Sequence, residues 1–197
     1  MKGYNKLRKS ILQILESQLP EGIYYHKIGH TLDALRVCNQ HIKREKIDSH
    51  QSKLLRLAVL MHDAGFSISL ENHEMNSCRI AERLMLEHGF PKSEIRRVQD
   101  MIMATRIPQS PKNILEKIIC DSDLDYLGRS DYYSKSHRLF KELNLRGIIN
   151  NDEEWHKAQI KFLEGHQFHT DYARKFLEPQ KMKRLEELKK LQVLSKV

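Results

Sequence analysis

The sequence predicts an all-α protein, a single-domain helical bundle, and three observations lead there. Apolar residues recur at three- and four-residue spacing in nearly every segment, the period of a helix with one buried face. The segments are separated by helix stops and starts rather than hairpin turns. No stretch alternates like a half-buried strand, and there is no glycine-rich phosphate loop, internal repeat or low-complexity tract. At 197 residues the chain suits one domain with a sizeable core.

Leu7, Ile11, Ile14, Leu15 and Leu19 mark a first helix, ended by Pro20-Glu21-Gly22. A second, from about Tyr24 to Glu45, is expected to turn Ile28, Leu32, Leu35 and Val37 inward. Ser49 is expected to cap a third, whose Leu54, Leu57, Ala58 and Met61 lead into His62-Asp63. After a linker over 64–72, a fourth helix runs from His73 to Glu87 and stops at His88-Gly89-Phe90-Pro91. Ser93-Glu94-Ile95 opens a fifth, to about Thr105, and Pro108 and Pro111 bracket a loop that helix does not cross. Asn113 caps a sixth, carrying Ile114, Leu115, Ile118 and Ile119 into Asp121-Ser122-Asp123. Further helices are expected over about 131–143, over 155–163 behind an Asn151/Glu154 capping box, and from Thr170. A basic amphipathic helix from Lys181 to Leu194 is expected to dock through Met182, Leu185, Leu188 and Leu191.

The net charge of +8 suits a small anionic partner, but the basic residues are spread out and form no dedicated nucleic-acid module. No apolar run reaches the ~20 residues of a membrane span. The N-terminus leads into an amphipathic segment rather than a secretory signal. Cys38, Cys78 and Cys120 form neither a disulfide framework nor a zinc motif, so buried thiols in a reducing cytoplasm are expected.

The chemistry concentrates around Leu57-Ala58-Val59-Leu60-Met61-His62-Asp63-Ala64-Gly65-Phe66. A histidine and a carboxylate at the end of an apolar helix are expensive to bury unless something pairs with them, and a divalent metal would do so. Gly65 lets the backbone turn away there. His26 and His30, four apart, would share one face of the second helix. The Asp121-Asp123-Asp125 cluster ends another apolar helix and offers a further carboxylate.

A His, then a His-Asp pair, then a distal Asp, all on helices, resembles the HD superfamily of metal-dependent phosphohydrolases. The resemblance covers roughly residues 24–131, leaving 132–197 as a C-terminal helical extension packed on that core. It implies His30, His62, Asp63 and Asp123 as ligands of one divalent ion, with Asp123 preferred to Asp121 as the second Asp of Asp-x-Asp. Mn, Fe, Co, Ni or Zn suits mixed nitrogen and oxygen ligands, with Mg possible. Asp63 is also a candidate for orienting the attacking water. Two histidines are candidates for the proton donor. His73 begins His73-Glu74-Met75-Asn76-Ser77, similar to the His-Glu-x-x-Ser segment of nucleotide-hydrolysing members. His26 stands where cyclic-nucleotide phosphodiesterases carry their acid, though Lys27 replaces their Asn. No histidine lies between Gly89 and Ser136, which argues for one metal and against a di-iron oxygenase. Arg129 and Arg106 are expected to hold phosphate oxygens.

The implied function is hydrolysis of a phosphoester of a nucleotide or small phosphorylated metabolite. A non-catalytic nucleotide-binding regulatory domain and a cyclic-nucleotide phosphodiesterase are the alternatives. His166 and His169 stand outside the resemblance, and Trp155, Phe162 and Phe168 are expected in the core rather than on a base-stacking platform.

Overall fold

The computed structural model describes residues 3–194. Among them are α1 (Tyr4–Ser17), α2 (Ile28–Arg44), α3 (Ser49–Met61), α4 (His73–Glu87), α5 (Lys92–Ala104), α6 (Ile114–Asp123), α7 (Tyr132–Leu145), α8 (Asp152–Gly165), α9 (Asp171–Phe176) and α10 (Glu178–Leu194). Two short 3-10 helices, Ala64–Ser67 and Asp125–Gly128, follow α3 and α6. The described residues contain no strand and no helix long and apolar enough to cross a membrane.

The apolar faces of α1 to α6 close on one core, with Leu7, Ile11, Leu54, Leu57, Met85, Val98 and Ile118 fully covered. Helices α2, α3 and α6 each pack on the other two. A second core joins Leu124, Tyr126, Leu127 and Tyr132 to Leu163, Phe168, Leu185 and Leu188 of the C-terminal helices. Gly128 sits at that junction, where a Cβ would lie 2.6–2.7 Å from atoms of Leu177. Burying these side chains contributes about 1.5–3 kcal/mol for each large apolar residue. The three thiols are free and buried, and burial pushes Cys38 and Cys78 up to about 12.

Several expected boundaries shift, each for a local reason. Helix α2 begins at Ile28, later than periodicity indicates. The backbone N–H groups of Tyr24, Tyr25 and His26 donate to Glu142 Oε2 at 2.8, 2.8 and 3.2 Å. That carboxylate satisfies them without helix, so His26 lies off α2 rather than on it. Leu32 is 41% exposed, because the buried stripe of α2 runs through His30, Thr31, Ala34, Val37, Cys38 and His41. The N-cap of α3 is Asp48, not Ser49, its side chain accepting from Gln51 N. Asn113, Asn151 and Thr170 cap α6, α8 and α9 as expected. On α10 Leu185 and Leu188 dock, whereas Met182 and Leu191 stay in solvent.

Candidate metal centre and adjoining cavity

The beginning of α2 and the ends of α3 and α6 meet at one point. His30 is the third residue of α2, His62 follows the last residue of α3, and Asp123 ends α6. Two converging helix C-termini carry partial negative charge, which favours a cation between them.

His30 Nε2 lies 3.3 Å from His62 Nε2 and 2.9 Å from Asp123 Oδ1. His62 Nε2 is 3.2 Å from Asp123 Oδ1. Asp63 Oδ2 stands 3.3 and 3.2 Å from the same two nitrogens. His30, His62 and Asp123 each offer a donor atom within 4.8 Å of the others'. Two nitrogens each ~2.0–2.1 Å from a shared ion lie about 3.0–3.4 Å apart at ordinary coordination angles, so the imidazole separation fits one ion.

Two further observations test that fit. Asp63 Oδ2 is buried and accepts no hydrogen bond, although a buried carboxylate oxygen normally has a partner. His62 Nδ1 also lies 2.7 Å from the Val59 carbonyl, which leaves Nε2 facing the cluster, as a metal ligand there would need. Burial alone would lower both imidazoles, but Asp123 and Asp63 outweigh it and hold His30 up and His62 well up. Burial would raise the two carboxylates, yet the imidazoles hold Asp63 and Asp123 below the usual carboxylate range. The site demands positive charge.

The turn after His62 is clamped by a residue whose role spacing alone does not reveal. Ser77 Oγ donates to the His62 carbonyl at 2.6 Å and accepts from Gly65 N at 2.8 Å. The glycine serves close approach: a Cβ there would lie 1.9 Å from His73 O and 2.7 Å from Ser77 N. So α4 is pressed against the His62-Asp63 turn.

Asp121 and Asp123 separate cleanly. Asp121 is fully buried and accepts from His169 N at 2.8 Å and Thr170 N at 2.7 Å, pinning the start of α9. Asp123 alone of the pair reaches the histidines.

His26 and His73 both stack on Phe66, with ring centroids 4.4 and 4.1 Å away. Glu142 Oε1 accepts from His26 Nδ1 at 2.5 Å. Burial would raise Glu142, but the bonds from His26 and the backbone amides hold it at about 2. His73 Nε2 lies 3.8 Å from Asp63 Oδ1 and 3.5 Å from Glu74 Oε1. Glu142 and Phe66 carry no sequence signal of this role: one is 116 residues from its histidine, and the other reads as core.

The arginines are placed otherwise than expected. The Arg129 guanidinium is taken up by Asp33, Asp125 and Asp131 and lines no part of the cavity beside the cluster. Arg106 is exposed and donates to Asn72 Oδ1 at 3.3 Å. Its neighbours Thr105 and Ile107 line the cavity, and it does not.

That cavity, about 320 Å³, opens from Asp63, Asp123, His26 and His73 and extends between α7 and α8, within the size range of small-molecule sites. Trp155 and Phe162, expected in the core, are half-buried and form part of its wall, while Phe168 is core. Helices outside the 24–131 segment thus build much of the chamber.

No family model and no curated protein matches the chain. Among solved structures, the crystal structure of a predicted HD superfamily hydrolase from an uncultured Thermotogales bacterium superposes with a TM-score of 0.60 at 22% identity. The match covers 94% of this chain and 91% of that one. The all-helical bundle with its His, His-Asp and distal Asp at one point therefore has the fold of a predicted HD superfamily hydrolase.

Proposed function

We propose that the protein is a metal-dependent phosphohydrolase that cleaves a phosphoester of a nucleotide or small phosphorylated metabolite. The observation that carries this reading is the buried Asp63 oxygen without a hydrogen bond, facing two Nε2 atoms 3.3 Å apart. His30, His62, Asp63 and Asp123 would hold one divalent ion, of the Mn, Fe, Co, Ni or Zn type. When bound, such an ion supplies Lewis-acid stabilisation of phosphoryl charge and lowers the pKa of water.

The chain's own residues supply the rest. Hydrolysis forms one P–O bond from water and breaks the ester P–O bond; the proton lost by water passes through solvent to restore the proton donor, from which the departing oxygen takes its proton. We assign that proton to His26, whose Nδ1 is held by Glu142 and whose ring lines the cavity. Glu142 touches no substrate in this scheme and acts as a positioning residue. His73, stacked on the same Phe66 ring and 6.4 Å from His26 centroid to centroid, would contact the phosphoryl oxygens. Phe66 keeps both imidazoles in register and keeps water from one side of each ring.

The test is turnover of a phosphomonoester and phosphodiester panel by protein reloaded with Mn, Co or Ni. The reading expects metal-dependent release of phosphate or alcohol that His26→Ala slows while metal content stays unchanged. Metal-loaded protein inert on every ester would overturn it.

A further inference from the structure

Beyond the metal cluster the cavity wall is largely apolar. Leu124, Leu127, Leu139, Leu143, Trp155 and Phe162 face it. No lysine or arginine lines it among the described residues. A polyphosphate carries several negative charges, and burying them without cationic partners is costly. Of the expected pair, Arg129 is already committed to three carboxylates, and Arg106 is exposed and donates to Asn72 rather than lining the cavity.

Three polar side chains, Tyr132, Ser136 and Gln159, stand together among the apolar ones between α7 and α8. Gln159 is only 7% exposed and lines the cavity. Its Oε1 accepts from Tyr132 Oη at 2.9 Å and from Ser136 Oγ at 2.6 Å. Two hydroxyls on one oxygen fix the carboxamide and so orient its Nε2, a donor. A donor on a side chain held in place on the wall of a cavity is what an acceptor on a ligand requires.

We infer that the substrate is a monoester in which a single phosphate is joined to an uncharged, apolar or aromatic body, with the body lying in the α7–α8 chamber and a hydrogen-bond acceptor at Gln159. This rests on the phosphohydrolase reading and narrows its substrate class, excluding nucleoside di- and triphosphates. The phosphate meets the cluster, and the leucines and aromatic rings take the body out of water. Specificity then comes from buried hydrocarbon rather than from charge.

The chain contains one tryptophan, and it lines this chamber, so its fluorescence reports occupancy without any turnover. Metal-loaded protein is titrated with methyl, butyl, hexyl and phenyl phosphate, and with ATP and inorganic phosphate as charge controls. Each added methylene is expected to tighten binding about fourfold until the chamber is full, with phenyl phosphate well ahead of inorganic phosphate and ATP weakest. Ala158→Leu, which narrows the wall, is expected to remove the gain for hexyl phosphate and spare methyl phosphate. Binding independent of chain length, or ATP binding tightest, overturns the inference. The two readings fail separately. Chain-length-dependent binding with no ester ever hydrolysed keeps the chamber and sinks the phosphohydrolase. Turnover without chain-length preference does the reverse.

Discussion

Ser77→Ala removes one oxygen and tests whether the clamp on the His62-Asp63 turn matters to the metal. In the native chain that hydroxyl serves the His62 carbonyl and the Gly65 N–H, and Ser77 is fully buried. Its loss leaves two main-chain groups without partners where water has no room. Each such group costs about 1–3 kcal/mol. The hydroxyl's own desolvation is recovered, so the lower half of that range applies to each group and the total is about 2–4 kcal/mol. The carbonyl belongs to His62 itself, so the turn that aims Nε2 and Asp63 Oδ2 loosens with it. Residues that orient metal ligands typically change affinity about 10–100-fold. Two measurements follow: denaturant unfolding of chelator-treated protein, and Mn or Co titration followed by calorimetry. The reasoning requires both stability and metal affinity to fall. Stability lost with affinity unchanged would show that the clamp serves only the fold, and the argument linking α4 to the site would fail.

The remaining predictions are these. Asp123→Asn is expected to abolish metal binding, whereas Asp121→Asn keeps the metal and loosens α9 by turning an NH2 toward a backbone donor; metal analysis and protease sensitivity separate the two. Gly65→Ala drives a Cβ to 1.9 Å from the His73 carbonyl and is expected to cost several kcal/mol in thermal unfolding, more than a propensity change alone would allow. His41 is fully buried with neither ring nitrogen bonded, and burial, then Arg44, pushes it down to about 4 from 6.5. The unfolded chain then binds more protons below 6.5, so stability is complete above that pH and declines as pH falls toward 4, by about 3 kcal/mol. His41→Phe is expected to flatten that decline in urea titrations at pH 4–7. Glu142 is held low, so its contribution is present above about 4.5 and lost as pH falls toward 2; Glu142→Gln is expected to remove this acid limb and shift the pH profile of kcat while sparing metal content.

Helical periodicity made the bundle legible, and side-chain chemistry marked the cluster, because histidines and carboxylates at the ends of apolar helices stand out from the residues around them. What stayed hidden depends on contacts across the chain. Glu142 draws the Tyr24-to-His26 amides away from α2, and no local pattern could say that a carboxylate on α7 would arrive there. Ser77 looked like one letter of a motif, and only the fold shows it holding the His62 carbonyl. Arg129 reads as a phosphate clamp until Asp33 is brought beside it. Trp155 and Phe162 read as core because apolar periodicity does not distinguish a packed wall from the wall of a cavity. Leu32 misled for the opposite reason: the inward stripe of α2 is partly polar, led by His30.

The most direct test of the central claim is metal stoichiometry on protein stripped with chelator and reloaded with Co or Mn. One ion per chain is expected, lost together in His30→Ala, His62→Ala and Asp123→Asn, with apparent affinity falling as pH drops through the raised range of the two imidazoles, where protons compete for the same side chains. Reloaded protein that holds no ion, or an ion that stays bound in the His30→Ala/His62→Ala double variant, would contradict it.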